Sequence, residues 1–192
     1  MRLIVISAAL LALAACSNPQ QQASNESTSA AEAGPQKGVD RSHRGAPIPD
    51  VKILDARSSD IGSKTNVREL ADGRPLLLNL WASWCAPCVK ELPTLQKLRD
   101  QRGGTLLVEP ISQDDGPQKS VEAFIASHNL DFVAYQDPKM ALSAALGPDT
   151  VLPTTVLYDA NGKEVWRYVG DLDWTGPEAA KLLAEEGSSK KP

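Results

Sequence analysis

Short apolar runs and longer segments with a helical period alternate along residues 47–186. Strands are predicted for the short runs, at 51–54, 76–81, 105–112, 132–135, 154–158 and 164–169. Helices are predicted at 86–102, 118–129, 139–146 and 177–186. The last two strands flank Asp-Ala-Asn-Gly at 159–162, a sequence typical of a β-hairpin turn. This order predicts one α/β domain with a central mixed β-sheet and helices on both of its faces.

The N-terminal residues lack this pattern and carry the features of an export signal. Arg2 precedes an uncharged apolar run of about 13 residues, which is shorter than the roughly 20 residues that a membrane-spanning helix needs. The run ends in Leu-Ala-Ala-Cys, which resembles the signal of bacterial lipoproteins. The resemblance implies a signal peptide over residues 1–15 and a diacylglycerol on the sulfur of Cys16. The alternative is an ordinary secretory signal in which the cysteine stands by chance.

The segments on either side of the predicted domain have the composition of flexible chain. Residues 16–46 are rich in Gln, Ser, Ala, Glu and Gly, and they predict a flexible tether in which His43 is a solvated residue. Residues 187–192 predict a disordered tail. With a lipid on Cys16, this arrangement predicts an extracytoplasmic, periplasm-facing domain that is lipid-anchored to a bacterial membrane. Ser17 does not decide between the inner and the outer membrane.

The charge and the length of the chain narrow the choice of partners. The 192 residues include 20 Lys and Arg and 24 Asp and Glu, which gives a formal net charge of −4. The basic residues are not clustered, so nucleic-acid binding is not predicted. The roughly 140 residues of the segment 47–186 are enough for a single domain with its own core.

Cys85 and Cys88 form a Cys-x-x-Cys pair between the predicted strand at 76–81 and the start of the next helix. Amides and a partial positive charge at a helix N-terminus stabilise a thiolate. Cys85 is therefore predicted to be an exposed nucleophile with a low pKa, and Cys88 a more buried resolving thiol. Two alternatives stay open. A structural disulfide would stabilise little across so short a loop, and a metal site would need more ligands than His128, the one histidine of the segment 47–186, supplies.

The residues around the cysteines closely resemble the thioredoxin superfamily. The similarity lies in the segment 78–88, in Pro93 five residues after the second cysteine, and in Leu-Pro-Thr at 152–154. The resemblance implies a thioredoxin-like fold in which a cis-proline, Pro153, packs against the dithiol and the backbone of Leu152 binds an extended substrate. Substrate contacts are expected at Trp84, Ala86, Pro87, Leu152 and Pro153.

Two positions distinguish this chain from thioredoxin itself. Asn79 stands where thioredoxins carry a buried aspartate, and Glu91 lies three residues after Cys88. The pattern Cys-x-x-Cys-x-x-Glu resembles the membrane-tethered reductases of the TlpA, ResA and CcmG kind, with an N-terminal extension and a central insertion, here within 105–146. The resemblance implies that Glu91 lies beneath the dithiol, raises the pKa of the thiols and shuttles a proton to Cys88. The alternative is a glutamate on the surface of the helix.

The remaining aromatic residues and His128 have expected roles in packing. Trp84 is expected to shape the substrate surface, whereas Trp81, Trp166 and Trp174 are expected to pack in the core or against the hairpin. His128 is expected to end a helix without a catalytic role.

These features predict a thiol–disulfide oxidoreductase, without a cofactor, that reduces protein disulfides through Cys85 and Cys88. The resemblance implies a membrane dithiol as electron donor, and clients such as the haem-attachment cysteines of apocytochrome c or a copper-site thiol pair. A monomer is expected. The alternatives are a thiol oxidase or isomerase that runs the same exchange in the opposite direction and, with less support, a copper-binding assembly chaperone or a peroxidase. No histidine stands near the dithiol in sequence, and the cysteine context differs from that of peroxidases.

Overall fold

The computed structural model describes residues 36–57 and 62–186. Its strands are β1 (Gly38–Asp40), β2 (Lys52–Asp55), β3 (Lys64–Asn66), β4 (Leu76–Trp81), β5 (Leu107–Ser112), β6 (Tyr135–Gln136), β7 (Thr154–Tyr158) and β8 (Glu164–Val169). Its helices are α1 (Val67–Ala71), α2 (Ala86–Arg102), α3 (Gln118–Ser127), α4 (Ala141–Leu146) and α5 (Pro177–Leu183). In these ranges no helix combines the length and the apolar character needed to cross a membrane. Cys16, the predicted signal peptide and the predicted tail lie outside the described residues.

The described strands form one mixed sheet of eight strands, in the order β1-β8-β7-β4-β5-β6-β2-β3. β4, β5 and β6 run parallel to one another, and the other neighbouring pairs are antiparallel. β4 lies in the middle of the sheet and every one of its residues is buried. The predicted mixed sheet is confirmed, and β4, α2, β7 and β8 have the bounds that the sequence pattern predicts.

Alternate residues of β4 belong to two separate cores, as the pleat of a strand requires. Leu77 and Trp81 belong to the first core, together with residues of α2, α3 and α5. Leu76, Leu78 and Leu80 belong to the second core, together with residues of α1 and α4. Helices therefore cover both faces of the sheet. The helix that begins at the cysteine pair packs on the first core.

The folded domain begins before residue 47. β1 lies within the segment 16–46 that was predicted to be a flexible tether, and it pairs with β8 along the edge of the sheet. Arg41 and Arg44, which follow β1, both form ion pairs with Glu185 near the end of α5. The tether prediction is therefore wrong for residues 38–46. A three-residue edge strand is held by backbone pairing, and a segment as short as Gly-Val-Asp contains no apolar run that would predict it.

Besides β1, two further elements were missed, and several are shorter than predicted. β3 is a polar three-residue strand, and α1 has five residues behind an N-cap at Asn66. The predicted strand at 132–135 is reduced to Tyr135–Gln136, which pairs with the end of β5. Phe132 instead lies beneath the guanidinium group of Arg99. Elements this short are set by tertiary contacts, because they span too few residues to show a period.

Candidate active site

The dithiol lies at the junction of β4 and α2. β4 ends at Trp81, and Cys85 is the N-cap residue of the 17-residue helix α2, with an extended backbone (φ −91°, ψ 95°). The amide of Cys85 donates to the carbonyl of Ala82 at 3.1 Å and closes the turn between the two elements. Pro87 stands in the first helical turn, where a missing amide hydrogen costs nothing. The local sequence therefore fixes Cys85 at the start of the helix.

Cys85 and Cys88 are joined in a disulfide, with their Cα atoms 5.3 Å apart. Cys85 is 6% exposed and Cys88 is fully buried, so the predicted order of accessibility is correct. The prediction that Cys85 is exposed is wrong for the disulfide form, because this residue packs into the first core. The neighbouring residues Trp84, Ala86 and Pro87 are exposed, Trp84 by 67%. The disulfide is thus covered, while the surface around it is open to a partner molecule.

The loop before β7 reaches the sheet at the same end as the cysteines. The Leu152–Pro153 peptide bond is cis, as the resemblance to thioredoxins implies. Leu80 pairs with Thr154 across β4 and β7, so Pro153 lies level with Trp81, where β4 leaves the sheet toward the dithiol. Leu152 is half-buried and Pro153 is buried. The fold therefore brings the predicted proline loop and the cysteine turn to one end of the sheet.

A carboxylate that was not predicted holds the turn before the cysteines. Asp114, just after β5, accepts hydrogen bonds from the amide of Ser83 at 3.1 Å and from its hydroxyl at 2.7 Å. It also accepts from the hydroxyl of Ser112 at 2.7 Å. Asp114 and Ser83 are 31 positions apart, and no local pattern in the sequence connects them. This carboxylate ties the end of β5 to the turn that carries Cys85.

Glu91 lies on the buried side of α2, one turn after Cys88, and is 2% exposed. Its Oε1 accepts a hydrogen bond from Nδ2 of Asn79 at 2.7 Å. Its Oε2 accepts from the backbone amide of Leu172 and from the indole Nε1 of Trp174, both at 3.2 Å. Donors therefore surround the carboxyl group. The alternative of a surface glutamate is wrong.

Burial dominates the electrostatics of this carboxyl. The loss of hydration raises the pKa of Glu91 to about 7, and the hydrogen bonds from Asn79, Leu172 and Trp174 each oppose that rise because they favour the ionised form. The negative charge of Asp171 raises the pKa further. With a pKa of about 7, both the protonated and the ionised form are populated near neutral pH.

The partners of Glu91 were not recognised from the sequence. Trp174 is buried and stacks on Trp166 with 6.3 Å between ring centroids, as expected for core packing, but its indole N–H also donates to Glu91. The hydroxyl of Thr94 holds this pair together, since it accepts from the amide of Trp174 at 3.1 Å and donates to the carbonyl of Glu91 at 2.7 Å. A buried indole N–H needs an acceptor. The sequence therefore indicates that the indole of Trp174 has an acceptor if it is buried. It does not indicate that this acceptor is Glu91, 83 positions away.

The remaining candidate residues have packing roles. Trp81 is buried and lies 5.4 Å from the ring of Phe124. His128 is exposed at the end of α3, and its ring stacks on the same phenylalanine with 3.9 Å between centroids. Within residues 36–57 and 62–186, no three His, Cys, Asp or Glu side chains are grouped so that they could hold a metal ion.

Known proteins are similar to this chain over most of its described length. The family model described as Redoxin matches residues 43–183. The thiol-disulfide oxidoreductase ResA of Bacillus cereus is 33% identical over 116 residues, which cover 57% of this chain and 62% of ResA. The thiol:disulfide interchange protein DsbE of Vibrio cholerae is 30% identical over 147 residues, which cover 73% of this chain and 76% of DsbE.

A solved structure is similar to this chain in fold. The crystal structure of a DsbF homologue from Corynebacterium diphtheriae superposes with a TM-score of 0.59 at 25% sequence identity, over 76% of this chain and 89% of that chain. Several of the curated relatives, ResA among them, are spanned over less than two thirds of their length. The fold, the cysteine pair at the start of α2 and the family match over 43–183 lead to one conclusion: the chain belongs to the Redoxin family and has a thioredoxin-like fold.

Proposed function

We propose that this chain is an extracytoplasmic thiol–disulfide oxidoreductase that reduces disulfides in proteins. The observation that carries the proposal is the Cys85–Cys88 disulfide at the start of α2, with the buried carboxyl of Glu91 one turn after it. A purely structural disulfide exchanges no protons, so it does not require a neighbouring acid that titrates near neutral pH. The relatives named ResA and DsbE are a thiol-disulfide oxidoreductase and a thiol:disulfide interchange protein, which is consistent with this activity.

The reduced protein transfers two electrons to its substrate in two exchange steps. In the first step the thiolate of Cys85 attacks one sulfur of a substrate disulfide, a bond forms between these two sulfurs, and the other substrate sulfur leaves as a thiolate. In the second step the thiolate of Cys88 attacks the sulfur of Cys85. This step re-forms the Cys85–Cys88 disulfide and releases the second substrate thiolate, so the substrate is reduced and the protein is oxidised.

Glu91 takes up the proton that Cys88 loses in the second step. The two residues are three positions apart on the buried side of one helix, so the carboxyl and the thiol are neighbours along that side. An ionised Glu91 accepts the proton that Cys88 must lose. Once it is protonated, Glu91 is neutral and no longer opposes the new thiolate. A pKa of about 7 allows the carboxyl to alternate between these two forms near neutral pH.

The substrate segment lies across the exposed surface beside the disulfide. Trp84, Ala86 and Pro87 offer an apolar contact area on one side. The backbone of Leu152, before Pro153, offers hydrogen bonds to an extended chain on the other side, in the manner of strand addition. Protein substrates with an accessible, extended disulfide or dithiol segment fit this arrangement.

Each turnover leaves the protein oxidised, so a dithiol donor must reduce it again. We infer a donor in the membrane, because the predicted lipid on Cys16 would hold the domain next to that membrane. Haem-attachment cysteines of an apocytochrome c, or a thiol pair that assembles a metal centre, are the clients that fit a tethered reductase of this kind. A monomer suffices for the reaction, since Cys85, Cys88 and Glu91 all belong to α2 and its N-cap.

The competing function is a thiol oxidase or isomerase, which uses the same residues in the opposite direction. The direction depends on the relative free energies of the disulfide and the dithiol, and about 30 mV in the reduction potential corresponds to about 1.4 kcal/mol. A copper-binding assembly chaperone is the third candidate, and it would need the dithiol itself as its principal ligand. No observation on the described residues favours it over the reductase.

The first experiment is a measurement of the reduction potential of the Cys85–Cys88 pair in the full chain, equilibrated in glutathione or dithiothreitol buffers. A potential near or below about −230 mV supports a reductase, and one near about −120 mV supports an oxidase. A Cys88→Ser variant is the control, because it cannot form the two-electron couple. Failure of the wild-type chain to reduce any protein disulfide in the presence of dithiothreitol would contradict a reductase, and failure of its disulfide form to oxidise a reduced protein dithiol as well would contradict both directions.

A further inference from the structure

Asn79 has an unusual set of hydrogen bonds in the middle of β4. Its side-chain amide is fully buried, and Nδ2 donates both of its hydrogens, to Oε1 of Glu91 at 2.7 Å and to Oγ1 of Thr155 at 2.9 Å. Its Oδ1 is buried and has no hydrogen-bond partner among the described residues. A buried acceptor without a donor is costly. In this orientation the amide donates a hydrogen bond to the carboxylate of Glu91, while its own oxygen has no hydrogen-bond donor among the described residues.

The two oxygens of Glu91 differ in where a proton can be placed. Oε2 faces two N–H groups, the amide of Leu172 and the indole of Trp174, and neither can accept a hydrogen bond. The one hydrogen-bond partner of Oε1 among residues 36–57 and 62–186 is the amide of Asn79, which can present either a donor or an acceptor. A proton on Glu91 therefore belongs on Oε1. With the amide in its present orientation, that proton would meet the hydrogens of Nδ2.

We propose that Asn79 is a positioning residue whose side-chain amide turns over when Glu91 gains or loses its proton. Nδ2 faces Oε1 while Glu91 is ionised. After protonation the amide turns by half a rotation, and Oδ1 then accepts hydrogen bonds from the new O–H of Glu91 and from the hydroxyl of Thr155. The inference deepens the proposed function and rests on it, because it assigns a partner to the carboxyl that exchanges a proton with Cys88.

The groups that face Glu91 from the neighbouring elements agree with this assignment. β4 contributes Asn79, and the loop after β8 contributes Leu172 and Trp174 as donors and Asp171 as a charge. The donors of that loop bond Oε2, which remains an acceptor in both protonation states when the proton lies on Oε1. Asn79 faces the oxygen that takes the proton, so it is the neighbour that has to change from donor to acceptor for its hydrogen bond to Glu91 to be kept in both states.

The direct test is side-chain NMR of the full chain in the disulfide form, with 15N-labelled amides and 13C-labelled carboxyls. The Nδ2 signals of Asn79 should change with pH at the same midpoint as the carboxyl of Glu91. In a Glu91→Gln variant they should be independent of pH over the same range. Asn79 signals that stay constant through the titration of Glu91 would overturn the proposal.

Substitution of Asn79 gives a second, independent readout. Asn79→Leu removes the donor to the carboxylate, so the titration midpoint of Glu91 should rise by about one to two pH units. Thr155→Val is the matched control, since it removes the other partner of Nδ2 and keeps the donor to Glu91. Its shift should be clearly smaller. An unchanged midpoint in Asn79→Leu contradicts the proposal, and if that variant does not fold, the NMR titration of the wild-type chain still decides.

The result of these titrations does not depend on whether the proposed function is correct. They use the oxidised protein without substrate, so they report on Asn79 and Glu91 whether or not the chain reduces disulfides. Turnover is then measured against pH in the wild-type and Asn79→Leu chains. A pH profile that moves with the midpoint of Glu91 supports both proposals. Coupled titration with an unmoved pH profile supports the role of Asn79 and contradicts the role of Glu91 in turnover.

Discussion

Two glutamates on opposite faces of the sheet have pKa values raised to about 7 by burial, and their surroundings differ. Glu91 packs on the first core and accepts three hydrogen bonds, from Asn79, Leu172 and Trp174. Glu109 stands on β5 in register with Leu78, a residue of the second core. It is half-buried, and arginines at positions 57, 74 and 99 oppose the rise in its pKa through their charges.

The comparison shows that a raised pKa alone does not mark the active site. Burial produces the same pKa at both positions, but only Glu91 lies on the helix that carries the cysteines. Its three donors come from β4 and from the loop after β8, so its position is fixed from two sides. Long-range charges support the ionised form of Glu109 without fixing its geometry. A proton-transfer group needs fixed geometry as well as a suitable pKa.

The largest expected difference between the two glutamates concerns turnover. Glu91→Gln should slow the reduction of insulin disulfides by the full chain, with dithiothreitol as donor, by at least about tenfold. The reason is that, in the proposed mechanism, Cys88 loses the neighbour that accepts its proton. In the same variant the apparent pKa of Cys88 in the reduced protein should fall, because a neighbouring negative charge is removed.

Glu109→Gln is the matched control for this experiment. It removes a carboxyl with the same raised pKa from the other face of the sheet, and its turnover should stay within about twofold of the wild-type value. If both variants slow turnover equally, the effect comes from general destabilisation and the acid role of Glu91 is excluded.

The second expected effect concerns stability, and here the two glutamates should behave alike. Each pKa rises from 4.5 in the unfolded chain to about 7 in the native protein. Between these two values the native state binds more protons than the unfolded state, so the free energy of unfolding falls as the pH increases. The full loss is about 3 kcal/mol for the fully buried Glu91 and smaller for the half-buried Glu109.

Urea unfolding of the oxidised chain at pH 4 and at pH 8 measures this loss. Each Gln variant should be more stable at pH 8, relative to the wild type, than it is at pH 4. The double variant should show the sum of both gains, because the two sites lie on opposite faces of the sheet. A change in stability between pH 4 and pH 8 that is the same in the wild type and in both Gln variants would contradict the raised pKa of both residues.

The same contrast explains how much the sequence could predict. Cys85, Cys88 and Glu91 follow one another on a single helix, so their spacing alone predicts that they share one side of it. β4 and the β7–β8 hairpin were predicted because apolar runs and turn residues define them locally. Trp174 and Asp114 could not be linked to the site, because their contacts join distant positions. The burial of Glu109 could not be predicted from the sequence either, since it depends on the packing of several strands.

The third and smaller expected effect is a change in pKa that should occur at Glu109 alone. The guanidinium of Arg57 lies 5.2 Å from the ring centroid of Tyr135, and its charge is the largest of those that lower the pKa of Glu109. Arg57→Gln should raise the pKa of Glu109 by about half a pH unit and leave that of Glu91 unchanged. Carboxyl 13C titration of the two glutamates in one sample measures both values. An equal shift at Glu91 would mean that the two faces are not electrostatically separate.

The smallest expected effect is a change in the pKa of Glu91 that is caused by charged side chains near the protein surface. Asp171 precedes Leu172, and its carboxylate lies 2.7 Å from Nζ of Lys37 and 3.7 Å from Nζ of Lys90. Its charge raises the pKa of Glu91, so Asp171→Asn should lower that pKa by a few tenths of a pH unit. Lys37→Gln should raise it by a similar amount, because the ammonium group that balances Asp171 is lost.

The opposite signs of these two shifts distinguish charge from structure. Leu172 donates its amide to Glu91, so a displaced loop would remove a donor and raise the pKa in both variants. Charge effects between groups near the surface should also fade in about 1 M salt, where the screening length falls to about 3 Å. Two shifts of opposite sign that both shrink in salt would show that the segment before β1, through the charge of Lys37, changes the pKa of Glu91. Two rises that persist in salt would show instead that this surface pair only holds the donors of Glu91 in place.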